Sequence, residues 1–232
     1  MNKALKASYG ELYEEDADYT TSLEDTLREI LGLFQSNNPI GHLRYVWMAL
    51  ILSLTVQPTL AYYQPDNPLP DYTINRMIVW LIETLEEILS LTEKTSLIKK
   101  CNNINELRDD FFSCKTTKAI PSLQILSEAL DVYQNAIKTI EPDRSLEALL
   151  EILEDCLEGY AIFPGSRGRR ELFNWWLLDV VPASWYLRPP RSFYSVTDSP
   201  RDQEIFSDRM QELQRISDTI RPFPDILRLH AL

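Results

Sequence analysis

Apolar residues recur every three or four positions along most of this chain, and no segment alternates every second position long enough to demand a sheet. In TTSLEDTLREILGLFQS, residues 20–36, Leu23, Leu27, Ile30, Leu31 and Phe34 share one helical face, and Ser22 followed by Asp25 makes a cap-like start. A 21-residue stretch without charge follows, Tyr45 to Pro65, between Arg44 and Asp66. It is nearly long enough to cross a membrane, but Gln57-Pro58 and the polar Tyr62-Tyr63-Gln64 end reduce its strongly apolar part to Val46–Val56. That pattern predicts a central helix, buried on all sides, that breaks at Pro58. Four prolines in the thirteen residues Pro58 to Pro70 then predict a long ordered loop.

The clearest amphipathic helix runs from Thr73 to about Lys94, with Ile74, Met77, Ile78, Leu81, Leu85, Ile88 and Leu89 on one side and Glu83, Glu86 and Glu87 on the other. A polar interval containing KKCNN leads to a short helix near Asn105–Phe112. Pro121 opens a helix to about Ile140, and Pro142 separates it from another over Ser145–Glu158. Three of the six glycines fall between Gly159 and Gly168, where the helical body pauses. Ser199-Pro200 starts a last helix through Ile205, Phe206, Met210, Leu213 and Ile216, and RPFPDILRLHAL either docks as a short extended piece or stays loose.

The expected fold is all-α, an orthogonal bundle of about seven to nine helices. A faint echo among TLREILGL, TLEEILSL and LLEILEDCL keeps a short α-solenoid as the alternative, although Leu, Glu and Ile are what any amphipathic helix prefers. Residues 1–160 form an acidic helical body. Residues 161–232 add an Arg/Trp-rich segment and a final helix packed on that body as one domain.

Charge sharpens this division. The net charge is −12, yet residues 1–166 carry −13 and residues 167–232 carry +1, with every cation of the last third an arginine. An acidic body repels nucleic acid at long range, so any polyanion site must be local. The three cysteines, Cys101, Cys114 and Cys156, have no metal-finger spacing, and the start of the chain lacks a signal-like apolar core. These features predict a reducing, cytoplasmic setting with no membrane anchor, no metal and no cofactor.

Chemistry-bearing motifs are sparse. His42 and His230 are the only histidines; neither lies in a metal motif or beside a nucleophile, and His42 reads as a local cap or core contact. Glu83-x-x-Glu86, nineteen residues and then Glu106-x-x-Asp109 resemble the ExxE…ExxD pattern of the all-α nucleoside triphosphate pyrophosphatases, the MazG and dimeric dUTPase group. That resemblance implies facing helices whose carboxylates hold Mg²⁺ against a triphosphate. Solvated helix faces explain the same four acids, and the chain reads as non-enzymatic.

One segment stands apart. FPGSRGRRELFNWWLLDVVPASWYLRPPRSFY, residues 163–194, holds five arginines, two acids and three of the five tryptophans. Gly165-Ser166-Arg167-Gly168-Arg169-Arg170 precedes an expected helix over Glu171–Val180, an arrangement suited to an anion nest. Arg188-Pro189-Pro190-Arg191 must be extended, because a residue before proline avoids the helical region. The expected function is binding of a protein partner: Arg167, Arg169 and Arg170 supply charge-assisted bonds, Trp176, Trp185 and Tyr186 anchor, and Arg188 and Arg191 form a stiff rim. RNA or single-stranded DNA, bound within a larger complex, is the second candidate. The competing structural reading puts the tryptophans in the core and pairs the arginines with the acidic body.

Overall fold

The computed structural model describes residues 22–34, 39–91, 120–162, 165–195 and 200–220. Their regular structure is entirely helical, and the chain is an all-α bundle. Helix α1 spans Leu23–Gly32 and α2 spans Pro39–Tyr63. Helix α3 is Leu69–Leu91, α4 is Ile120–Lys138, and α5 is Ser145–Leu153, which runs on through a π-turn, Glu154–Glu158. Helix α6 begins at Gly165–Trp175 and continues through a π-turn, Trp176–Val180, into a last turn, Val181–Trp185. Helix α7 is Pro200–Ile220. The expected short helix near Asn105–Phe112 and the chain's last twelve residues lie outside the described residues.

Helix α2 is the axis of the fold. Every residue from Ile40 to Val56 is buried, because this stretch has no polar face to turn toward water. Helices α3, α4, α5, α6 and α7 all pack against it. In a solenoid each element would touch only its sequence neighbours, so this is a bundle. Among the described residues α2 is also the one helix long and apolar enough to cross a membrane, and 72% of its apolar window is enclosed by the other helices.

Two expectations about prolines are corrected. Helix α2 does not break at Pro58 but continues to Tyr63. Proline in a helix interior removes one hydrogen bond and costs about 3 kcal/mol. Burial of Leu60 beyond it offsets part of that cost, and the buried Tyr133 hydroxyl of α4 ties the same stretch of α2 through the Ser53 carbonyl at 2.9 Å. The long proline loop shrinks to residues 64–68. Pro70 falls in the first turn of α3, where no N–H is needed, and the Asn67 side-chain oxygen accepts the Leu69 N–H at 2.9 Å.

Helix α1 starts as its sequence predicts, with the Ser22 hydroxyl accepting the Asp25 N–H at 3.0 Å. Leu27, Ile30, Leu31 and Phe34 enter the core, and Arg28 on the outer face grips both oxygens of Glu147 at 2.8 and 2.9 Å. One continuous apolar cluster runs from Leu27 in α1 to Ile216 in α7. It includes Leu172, Trp176, Val180 and Phe193, so the arginine-rich segment contributes to the same core as the acidic body.

Candidate interaction face

Helix α6 and the extended strap after it, residues 186–195, carry most of the residues singled out in the sequence. The helix starts at Gly165, six residues before Glu171, so Gly165 and Gly168 lie within its first turns. The expected glycine nest preceding a helix therefore does not form as predicted. The Arg167 side chain lies outside the described residues.

Arg169 is used inside the chain. Its guanidinium donates to the carbonyls of Leu157 at 2.9 Å and Gly159 at 3.1 Å, donates also to Glu158 O, and lies 5.5 Å from the Tyr160 ring centroid. These carbonyls end α5, where backbone acceptors lack helical partners and the helix dipole is negative. The cation answers carbonyls rather than the carboxylates that composition had suggested. Arg170 is exposed and also interacts within the chain.

The tryptophans divide by role. Trp176, expected as an anchor, is corrected to a core residue: it is 0% exposed and packs 5.6 Å from Phe173. Its indole N–H is enclosed without an acceptor among the described residues, which costs about 1–3 kcal/mol against the gain from burying the ring. Trp175 instead reaches the strap, where its Nε1–H donates to the Ser192 carbonyl at 2.8 Å. From the core side, Trp47 Nε1–H donates to the Arg188 carbonyl at 2.8 Å. Asp179 accepts the Arg191 N–H at 2.9 Å and the Ser192 N–H at 3.3 Å, and the Tyr194 hydroxyl donates to the Gly168 carbonyl at 3.2 Å. An extended segment has no internal ladder for its backbone groups; two indoles and a carboxylate supply the missing partners. Of the three indoles concentrated in the segment, that of Trp175 has this use.

The strap leaves α6 through a tight reversal. Arg188 N–H donates to the Ala183 carbonyl at 2.8 Å and Leu187 N–H to the Ser184 carbonyl at 3.2 Å, the bonding of a Schellman cap. Leu187 holds the left-handed position usually given to glycine, at φ 50°. That conformation costs a branched residue roughly 1–2 kcal/mol. Its side chain is 2% exposed, and burial on the order of 2 kcal/mol offsets the strain.

Above these tethers, Tyr186 is 52% exposed, and Arg188 and Arg191 are exposed. The Arg188 guanidinium lies 5.6 Å from the Tyr186 ring centroid, and neither arginine side chain is ion-paired among the described residues. Trp185, half-buried, meets Phe34 edge-on at 5.5 Å. Beside the strap an open groove of ≈ 1010 Å³ runs along α7, floored by Phe193, Phe206 and Met210. Phe193 and Phe206 stack at 5.0 Å.

Arg44 was not singled out in the sequence. It is buried where α2 passes the end of α6; its Nε–H donates to the Trp185 carbonyl at 3.0 Å, and its Cζ stands 3.9 Å over the Trp185 ring. Burial pushes its pKa below the ordinary arginine value, with Tyr186 acting in the opposite sense. The available signal was its position as the cation bounding the uncharged run, between the fully enclosed Leu43 and Tyr45.

The other candidates lie elsewhere. Glu83 and Glu86 are exposed on α3, and Glu106 and Asp109 lie outside the described residues. Among the described residues no group of three or more His, Cys, Asp or Glu side chains is placed to hold a metal ion. His42 is a core contact: its Nε2 is 2.8 Å from the Thr139 carbonyl, its ring meets Trp80 edge-on at 4.9 Å, and burial lowers its pKa. The acidic stripe of Glu147, Glu151, Glu154 and Glu158, which lacks the ExxH partner of a di-iron site, joins a carboxylate cluster around the π-turn of α5. Asp155 is pushed up to about 7, first by burial and then by Asp131, Glu128, Glu154 and Glu151. Comparison with protein-family models, with curated proteins and with solved structures finds no match to this chain.

Proposed function

We propose that this chain is a non-enzymatic interaction protein that binds a protein partner through the outer side of the strap and the adjoining end of α6. One observation carries the reading: the backbone of the strap is tethered by Trp47, Trp175 and Asp179, while Tyr186, Arg188 and Arg191 remain exposed, with neither cation ion-paired among the described residues. Tyrosine and arginine are the side chains that dominate interface energetics, and a segment already ordered loses little entropy on docking. Because Trp176 and Arg169 serve the fold, the binding residues contract from the sequence-derived set to Tyr186, Arg188 and Arg191, with the half-buried Trp185 beneath them.

A protein partner is favoured over nucleic acid by the same geometry. Stacking of a single strand needs several exposed rings, and in this segment Tyr186 is the only large aromatic ring among the described residues that is mostly exposed. The net charge of −12 opposes any long polyanion.

The test is charge reversal. The immobilised chain is compared with the Arg188→Glu/Arg191→Glu variant for capture of partners from its native cell extract, alongside thermal melting. The expected result is loss of one co-purifying protein by about tenfold or more with the melting temperature unchanged within about 2 °C. Unchanged capture, or capture of nuclease-sensitive RNA alone, contradicts the proposal.

A further inference from the structure

Charged side chains are almost never enclosed without a partner, because removing a charge from water costs several kcal/mol unless an opposite charge or a full set of acceptors replaces the water. Arg44 departs from that rule. It is 4% exposed, and one of its five N–H groups finds an acceptor, the Trp185 carbonyl. Among the described residues no carboxylate pairs with it, and no further hydrogen bond to its guanidinium is made. Its terminal nitrogens are not among the side-chain atoms of the described residues that are both fully enclosed and unpartnered, so the little exposure Arg44 keeps includes them.

The surroundings fix how that edge can be met. The guanidinium stands over the Trp185 indole at 3.9 Å, and Phe34 supports the ring from its edge at 5.5 Å. One flat face of the cation is thus covered and its Nε side is tied, which leaves approach in the plane, to the terminal nitrogens. Tyr186 directly follows Trp185 in the chain, and Arg188 sits over the Tyr186 ring at 5.6 Å. The result is a recessed fork with an exposed phenol and a second cation at its rim.

We infer that Arg44, Tyr186 and Arg188 form a seat for a carboxylate side chain of an acidic partner segment, with the carboxylate lying in the plane of the Arg44 fork. Planar bidentate pairing is the geometry that a guanidinium offers and an ammonium does not. A single recessed fork within an aromatic rim fits one carboxylate; a nucleic-acid backbone would need a row of cations, and the acidic body repels it. Docking would supply the counter-charge that the fold withholds from Arg44. The inference deepens the proposed function and rests on its reading of the same face.

The experiment follows the Arg44 Nε–Hε resonance in ¹⁵N-arginine-labelled full-length protein during titration with an N-acetylated tetraglutamate amide, and separately with inorganic phosphate and with hexauridylate. The expected result is a saturable shift of the Arg44 signal with tetraglutamate. Arg44→Lys, which keeps the charge but loses the fork, weakens binding about tenfold. Should Arg44→Lys fold poorly because the Trp185 carbonyl loses its donor, Arg188→Gln changes only an exposed side chain and is expected to weaken the titration several-fold. Silence of the Arg44 signal toward tetraglutamate, a response to phosphate or hexauridylate alone, or equal binding by Arg44→Lys in its folded state overturns the inference. A seat that titrates while the Arg188→Glu/Arg191→Glu variant still captures its partner refutes the proposed function and spares the seat. The reverse pattern, lost capture with a silent Arg44, spares the function and removes the seat.

Discussion

Removing the Asp179 carboxylate should loosen the strap without loosening the bundle. Its oxygens accept the N–H groups of Arg191 and Ser192 at 2.9 and 3.3 Å, and both residues are exposed, so water can satisfy those donors once the carboxylate is gone. The cost of Asp179→Ala is therefore the net value of two charge-assisted bonds in a partly hydrated setting, on the order of 2 kcal/mol in total, with no buried donor left unpaired. That energy falls on local opening of the strap. At about 1.4 kcal/mol per decade, it corresponds to roughly 30-fold more frequent opening. The reporter is the Trp175 indole proton, which is held by the Ser192 carbonyl at 2.8 Å and is released to exchange when the strap lifts. Proton exchange measured by NMR should accelerate roughly 30-fold at that indole while the amides of α2 and α4 keep their rates. Asp179→Asn, which retains one oxygen acceptor, should fall between. An unchanged Trp175 indole rate in Asp179→Ala refutes the tether argument, and uniform acceleration across the bundle refutes its locality.

Arg169→Ala should destabilise the whole protein, because it strips three carbonyls at the end of α5 of one shared cation; a loss on the order of 2–3 kcal/mol in urea unfolding is expected, and a loss below about 0.5 kcal/mol contradicts the assignment. Asp155 gives stability a pH dependence of definite sign. Its pKa is raised from 3.8 to about 7 in the folded state, so the folded chain holds a proton that the unfolded chain releases between those values. The associated stability is fully present below pH 3.8 and is lost as pH rises through about 7. Denaturation midpoints measured from pH 5 to pH 8 should fall through this group, and Asp155→Asn should flatten the profile; an identical slope in the variant contradicts the cluster's role.

How much of this was legible depended on whether the signal was local. The Ser22 cap, the helix opened by Pro121 and the apolar face beginning at Ile74 rest on neighbours within one or two turns, and the folded chain keeps them. Pro58 misled because a local penalty of about 3 kcal/mol was outweighed by long-range packing of α2 that no window of sequence contains. Trp175 and Trp176 were indistinguishable in the sequence. The π-turn at Trp176–Val180 changes the angular register along α6, and nothing in the residue types marks it. Arg169 was expected to reach a partner, with the acidic body as the competing acceptor, because composition counts side-chain charges; the carbonyls at the end of α5 are acceptors that composition does not count. Arg44 was passed over for the opposite reason, since an arginine beside an apolar run reads as its solvated boundary, and its enclosure depends on Trp185, 141 positions away.

The central claim, that a protein docks on the outer side of the strap, is tested most directly by contact. Tyr186→p-benzoylphenylalanine places a photoreactive ketone on the proposed face, and Tyr62→p-benzoylphenylalanine places the same group at a 74%-exposed position on α2 as a control. Irradiated in native cell extract, the probe at position 186 should yield one discrete crosslinked polypeptide that the probe at position 62 does not. Identical crosslink patterns from both positions, or products at 186 that nuclease removes, would contradict the account.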